Sequence, residues 1–233
     1  MKIYAIIPAR SGSVGLKNKN IKLLAGKPLI AYSIEFAKKL SVDRVFCSTD
    51  SEEYAAVARQ FGAEVPFLRS EFAATSTAME QDILKDLYAN FEAHGIPQPD
   101  LLVWLRPTFV FRNEADVKQC IQLLIDHPEY TAARTVCESE SRLYALENND
   151  LIPSFDDGGK SMIRRQDIGI KYKVFSTDII RSANKYTGDD FLGSKVAAVA
   201  TNKLCGLDID DEMDFKIVES IVLNNQDLID ENT

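Results

Sequence analysis

The chain has 233 residues, 35 acidic against 27 basic, a formal net charge of −8 and 45% apolar residues. This is an ordinary globular composition, on a chain long enough for one sizeable core. The acid surplus argues against a surface that coats nucleic acid or anionic membrane, both of which want extra Lys and Arg, but leaves room for a local cationic pocket. No stretch approaches the ~20 apolar residues of a membrane span. Cys47, Cys120, Cys137 and Cys205 are far apart and only two histidines are present. A zinc site is therefore not expected, and free thiols in a reducing cytoplasm are.

Lys2–Ala9 is nearly continuous in apolar character, as a strand covered on both faces should be, and is too short for a signal peptide. Leu29–Leu40 reads as a helix, with Ile30, Ile34, Ala37 and Leu40 on one face and Pro28 at its start. Arg44–Ser48 is a strand, Ser51–Phe61 a helix stopped by Gly62, and Glu64–Leu68 a short strand. Thr77–Glu92 is a long helix, Leu101–Leu105 a strand closed by Arg106-Pro107-Thr108, and Asn113–Asp126 a helix with Asn113 as N-cap. From about Tyr130 to Lys173 the pattern becomes short β-like pieces, Tyr130–Cys137 and Leu143–Leu146, around the turn-rich stretch Glu147–Lys160. This reads as a β-rich excursion from the sheet. Thr177–Asn184 then looks helical, Lys195–Ala200 extended, and Asp211–Leu223 is an amphipathic closing helix. The alternation predicts an α/β fold, one domain over residues 1–233, with a mainly parallel sheet and helices on both faces. In such sheets ligands bind beyond the carboxyl ends of the strands, which directs attention to the loops after Ile7, Ser48 and Leu105.

The first of these, Arg10–Asn20, holds two glycines, two serines and several cations. Glycines let backbone N–H groups turn toward an anion and the cations neutralise it. It is neither a Walker A loop nor a Gly-x-Gly-x-x-Gly turn; the plain alternative is a flexible surface loop. Near the other end, Asp208 and Asp210 stand at strand spacing on one side of the chain, ahead of the closing helix. They could hold Mg²⁺, which takes one or two carboxylates with phosphates and waters, or could favour the helix N-terminus.

Ile7-Pro8-Ala9-Arg10-Ser11-Gly12-Ser13, Gly15-Leu16, Lys19-Asn20 and Leu24–Ile30 closely resemble the opening of the acylneuraminate cytidylyltransferases (CMP-sialic acid synthetases). Ser48–Glu52, Phe61–Arg69, Leu105–Thr108, Arg164–Asp167 and Leu207–Asp210 with Asp214-Phe215 resemble the family's later blocks, in family order. The resemblance implies a Rossmann-like fold, a Mg²⁺ cofactor, a homodimer, and transfer of CMP from CTP to an acidic 3-deoxy sugar with release of pyrophosphate. It implies that Asp208 and Asp210 bind the metal and that Arg10 and Lys19 act on the phosphates. It places Ala9, Arg10, Ser11, Gly12, Ser13, Lys19, Asn20, Arg69 and Ala78 at the nucleotide. Arg106, Arg165 and Gln166 are placed at the sugar, the last two from a dimerisation subregion at about residues 130–175 that reaches the partner's site.

The sequence also departs from the family. Val14 stands where a lysine is usual, and Lys17 is expected to substitute for it. Met79-Glu80 replace a serine pair near the base-reading segment; Glu80 could accept from an exocyclic amine or be a solvated helix residue. Asp50 could cap the helix that follows it. The segment Ile168–Ser176 is short and lacks the family's Asn-Gly-Ala, which leaves open the sugar, a 3-deoxy-octulosonate or a phosphonate as acceptor, and a non-catalytic nucleotide-binding homologue.

Overall fold

The computed structural model describes residues 1–12, 15–156, 158–159, 163–186, 190–225, 227 and 229. The chain opens with β1 (Ile3–Pro8), passes through a small hairpin of β2 (Leu23–Leu24) and β3 (Lys27–Pro28), and enters α1 (Leu29–Lys39). Then come β4 (Arg44–Ser48), α2 (Glu52–Gln60), the single turn α3 (Glu71–Ala74), α4 (Glu80–Ala93), β5 (Leu101–Leu105) and α5 (Glu114–Asp126). The second half holds β6 (Ala132–Ser139), the hairpin β7 (Tyr144–Glu147) and β8 (Asp150–Pro153), β9 (Lys171–Lys173), β10 (Thr177–Arg181), β11 (Val196–Thr201) and α6 (Glu212–Asn224).

The main sheet runs β11-β6-β10-β5-β1-β4, with β9 added to the end of β6. β1 pairs in parallel with β4 and β5, and β11 with β6; β10 is antiparallel to both its neighbours. Alternate residues of β1 feed two cores. Ile3, Ala5 and Ile7 meet Ile30, Ile34, Ala55, Ala58 and Val117 from α1, α2 and α5. Tyr4 and Ile6 meet Leu84, Leu87 and Phe91 of α4, with Trp104 beside them. A strand that must fill both faces cannot alternate polar and apolar residues, which is why β1 and β5 are apolar throughout.

Helix boundaries follow side-chain caps. Ser51 accepts from Tyr54 N, Asn113 from Asp116 N, and Asp211 from Met213 N and Asp214 N. Gly62 ends α2 with φ of +95°, as expected of a residue just past a helix. The long helix starts at Glu80, three residues later than Thr77, where the Met79 N–H finds the Asp82 carboxylate at 2.9 Å.

Several expectations fail. Thr177–Asn184 is not a helix: Thr177–Arg181 is the strand β10 at the centre of the sheet, followed by a turn of 3₁₀ helix. Its run of Thr, Asp and two isoleucines is too short for periodicity to decide, and full burial between two strands settles it as extended. Tyr130–Cys137 does not belong to the excursion, since Ala132–Ser139 runs through the main sheet beside β10 and β11. Glu64–Leu68 forms only an isolated bridge from Glu64 to Phe46. The turn-rich stretch contains β8, paired with β7 through Asn148 and Asn149, both at positive φ.

Candidate active site

At the carboxyl ends of β1 and β5 lies a cavity of about 500 Å³, lined by residues of the Arg10–Asn20 loop, the stretch before α4, the β5 exit and Asp210. This is where an open α/β sheet places ligands. Arg10, Lys19, Asn20, Arg69, Ala78, Arg106 and Asp210, all expected from the sequence, line it together.

The loop after β1 is held by an anchor the sequence left ambiguous. Asp50 does not cap α2, a task Ser51 performs; its two oxygens take the Ser11 N–H at 2.6 Å and the Ser11 hydroxyl at 2.7 Å. Burial raises the Asp50 pKa, but these bonds and Arg69 outweigh it and leave the carboxyl below its ordinary range. Ala9 is buried and donates to Ser48 O, and Gly12 takes φ of +69° and carries the carbonyl that accepts from Arg10 Nη1 at 3.3 Å. Asn20 is buried, with Nδ2 on Arg10 O at 3.0 Å. Lys19 Nζ donates to Ile209 O at 2.7 Å and lies 3.7 Å from Asp210 Oδ1. The loop is thus stitched to the far end of the chain.

Gly15 shows how close that stitching is. A Cβ there would sit 2.5 Å from the Asp210 carbonyl oxygen. Only a glycine lets the loop lie against that backbone, a constraint invisible in a sequence where Gly15 is one loop glycine among others.

Arg69 is buried beneath the cavity and fixed by Ser48 O at 2.7 Å, Ser48 Oγ at 3.1 Å and Ala73 O at 3.3 Å. Burial lowers its pKa, with Asp50 pulling the other way. Arg106 is held by Glu80 and Asp178, and Asp178 is shared with Arg134. Glu80 is therefore an ion-paired wall of the cavity and not a solvated helix residue. The network of Arg106, Glu80, Asp178 and Arg134 was not legible as a unit, because it needs β6 and β10 as central strands. Trp104, fully buried on β5, lines the same cavity with an indole N–H that has no partner among the described residues.

Asp208 and Asp210 flank the fully buried Ile209, whose N–H is held by Thr108 O at 3.1 Å. Asp210 is exposed and lines the cavity, whereas Asp208 is part-buried and is not among the lining residues. Burial, then the nearby Asp210, raises the Asp208 pKa against the Thr108 hydroxyl, Lys173 and Lys19. Asp208 Oδ1 is buried with no partner among the described residues, while Asp210 is exposed. An unpartnered oxygen on Asp208 and the exposed carboxylate of Asp210 are donors suited to a hard cation. Among the described residues no group of three or more His, Cys, Asp or Glu is placed to hold a metal, so an ion here would draw its remaining ligands from substrate and water. The helix-favouring role falls to Asp211 and Asp214.

Other expectations lie elsewhere. Gln166 sits in a short exposed 3₁₀ turn and does not line the cavity; Arg164 beside it pairs with Asp167 at 2.9 Å. Ser13, Val14 and the Arg165 side chain lie outside the described residues. Lys17 is exposed and is not among the lining residues.

The family model described as "Cytidylyltransferase" matches residues 4–199. The chain belongs to the cytidylyltransferase family. Among curated members it is 34% identical over 227 residues to an N-acylneuraminate cytidylyltransferase of Escherichia coli, covering 94% of this chain and 52% of that protein. It is 42% identical over 124 residues to a CMP-N,N'-diacetyllegionaminic acid synthase of Legionella pneumophila, 53% of each chain. To a pseudaminic acid cytidylyltransferase of Campylobacter jejuni it is 31% identical over 225 residues, 92% of this chain and 94% of that one. The chain spans about half the length of the Escherichia coli relative, and the match to the Legionella protein covers about half of each. The fold is shared with a CMP:2-keto-3-deoxy-manno-octonic acid synthetase solved with CTP, at a TM-score of 0.71 and 17% identity over 96% of this chain and 99% of that one. No helix among the described residues is long and apolar enough to cross a membrane.

Proposed function

We propose that the chain transfers CMP from CTP to an acidic sugar of the nonulosonic, sialic-acid-like class, releasing pyrophosphate. The observation that carries this reading is the convergence of Arg10, Lys19, Asn20 and Arg69 with Asp210 on one cavity at the strand ends, in a member of the cytidylyltransferase family whose relatives bear such names. Arg10 and Lys19 balance charge on the triphosphate, and because Lys19 is pinned by Ile209 O its ammonium is in place before the reaction begins. Asn20 donates one amide N–H to Arg10 O, which fixes the side chain and leaves a second N–H and the carbonyl oxygen for the nucleotide. Gly12 supplies a loop N–H to the phosphates, its position set by Asp50, which holds the preceding Ser11 N–H and hydroxyl, and Arg69 and Ala78 lie toward base and ribose. Arg106 faces the sugar.

Asp208 and Asp210 are the residues that would hold Mg²⁺, and their oxygen donors fit it. Bound there, it supplies charge compensation for the phosphates and makes a hydroxyl more acidic. The protein acts as a homodimer in the cytoplasm, one domain per chain. Its β-rich subregion, from the end of β6 to about residue 175, carries exposed Leu143, Leu146 and Leu151 against the partner, with Arg165 and Gln166 serving the neighbouring site. The test is pyrophosphate release by the full chain and by Asp208→Ala with CTP and N-acetylneuraminate. Loss of about 100-fold or more in kcat for the variant is expected for a group aimed at developing charge; a wild-type rate would refute the assignment.

A further inference from the structure

The Arg106 guanidinium is clamped between two carboxylates of unlike mobility. On one side Nη1 donates to Asp178 Oδ2 at 2.7 Å and to Phe175 O at 2.9 Å. Asp178 is fully buried and its other oxygen takes Arg134 Nε at 2.8 Å, so this side is fixed from two directions. The Phe175 ring lies over both guanidiniums, 5.4 Å from Arg106 and 5.3 Å from Arg134, on a backbone with φ of +88°. A bulky residue holds such a φ only where its surroundings over-determine it.

On the other side Nε and Nη2 both donate to a single oxygen, Glu80 Oε1, at 3.1 and 3.0 Å. Glu80 is the first residue of α4, its side chain is 34% exposed, and it lines the cavity. The Nε/Nη2 edge is one of those by which arginine grips a carboxylate with two parallel bonds. Arg106 and Glu80 both line the cavity, and among the described residues Glu80 is engaged through this one oxygen.

We infer that Glu80 stands in for the carboxylate of the acceptor: an acidic acceptor binds by displacing Glu80 from the Nε/Nη2 edge of Arg106, and this exchange selects acceptors that carry a carboxylate. The inference rests on the acidic-acceptor reading above. Exchanging one carboxylate for another keeps Arg106 paired with a negative charge on that edge. Glu80, once released, remains at a helix N-terminus, where negative charge is favoured. A neutral acceptor offers no replacement, so reaching the edge would cost Arg106 a charge-assisted bond.

The test compares wild type with Glu80→Gln, using CTP with N-acetylneuraminate, its methyl ester and 3-deoxy-octulosonate. Pyrophosphate release with either acid reports on the acceptor reading by itself, and CTP affinity is measured separately by calorimetry. The Arg106 Nε–H resonance, assigned by its loss in Arg106→Gln, is followed as each acid is added. Weakening the internal competitor from a charged to a neutral partner is expected to lower the KM of the accepted acid about tenfold. Turnover number stays within about twofold, the methyl ester gains nothing, and the Nε–H signal moves with the acid. An unchanged KM with release intact overturns the exchange and leaves the acceptor reading standing. A loss of CTP affinity without change in acid KM also overturns it, placing Glu80 at the base. Absence of release with both acids refutes the acceptor reading, and an Nε–H signal unmoved by either acid refutes the exchange on its own evidence.

Discussion

Replacing Gly15 by Ala adds one methyl group against a carbonyl that cannot turn away. The new Cβ would lie 2.5 Å from Asp210 O, whereas ordinary contact begins near 3.4 Å, so something must move by about 0.9 Å. The Asp210 side is the stiffer one: Ile209 is fully buried, its N–H is tied to Thr108 O, and its carbonyl receives Lys19 Nζ. The loop side is exposed at Gly15 itself. The loop should therefore yield, at a cost of roughly 1–3 kcal/mol if it were rigid and less as it opens. Paid in full as global stability, that cost would lower Tm by about 2–12 °C for a chain of this size. We expect instead a Tm within about 2 °C of wild type and a displaced phosphate loop, because misplacement on the order of 1 Å costs about 100-fold in rate. Calorimetric CTP binding in the presence of Mg²⁺ should weaken at least tenfold and pyrophosphate release should fall about 100-fold. Wild-type affinity and rate in Gly15→Ala would refute the contact between loop and Asp210 as a determinant of the site.

Asp50→Asn removes the acceptor pair that holds Ser11 and should raise the KM for CTP several-fold, read by pyrophosphate release. Because the folded Asp50 pKa lies below its ordinary value, this tether contributes above the unfolded carboxyl's pKa near 3.9 and is lost as pH falls through the lower folded value; wild-type stability should therefore show no Asp50-dependent loss from pH 7 to 5. Asp178→Asn removes a fully buried carboxylate and leaves two part-buried arginines short of a counter-charge; it should cost about 3–5 kcal/mol, a Tm drop of roughly 6–20 °C in a thermal melt. Leu146 and Leu151 pair across the β7–β8 hairpin and are both exposed, so Leu146→Asp with Leu151→Asp should convert the proposed dimer to monomer in sedimentation without loss of helix signal. All four cysteines are buried thiols outside any disulfide, and burial pushes Cys47 and Cys120 up to about 12; iodoacetamide at pH 8 should label them only after denaturant is added.

Much of this was legible because the first half of the chain obeys local rules. β1, β4 and β5 are short apolar runs bounded by breakers, and Gly62 and Asn113 stop or start helices by mechanisms visible in single residues. The second half was misread where tertiary context decides. Thr177–Arg181 has too few residues to show a period, and an antiparallel strand inserted between β5 and β6 cannot be inferred from sequence spacing. The site followed the same division. Arg10, Lys19, Asn20, Arg69 and Asp210 could be grouped before folding because their blocks resemble a family's in order, and they do line one cavity. Gly15 against Asp210, Asp50 on Ser11, and Glu80 on Arg106 were missed because each joins residues 26 to 195 positions apart in pairings that only the folded sheet creates.

The central claim is that the cavity between Arg10, Lys19 and Asp210 serves CTP and an acid together. Pyrophosphate release measured across the four nucleoside triphosphates, each with N-acetylneuraminate, 3-deoxy-octulosonate and a phosphonate, tests it most directly. The account predicts release with CTP and a carboxylate-bearing sugar, strongest for a nonulosonic acid, and little with the other nucleotides. Measurable CTP binding with no release from any acceptor would contradict it and make the chain a nucleotide-binding member of the family without transferase activity.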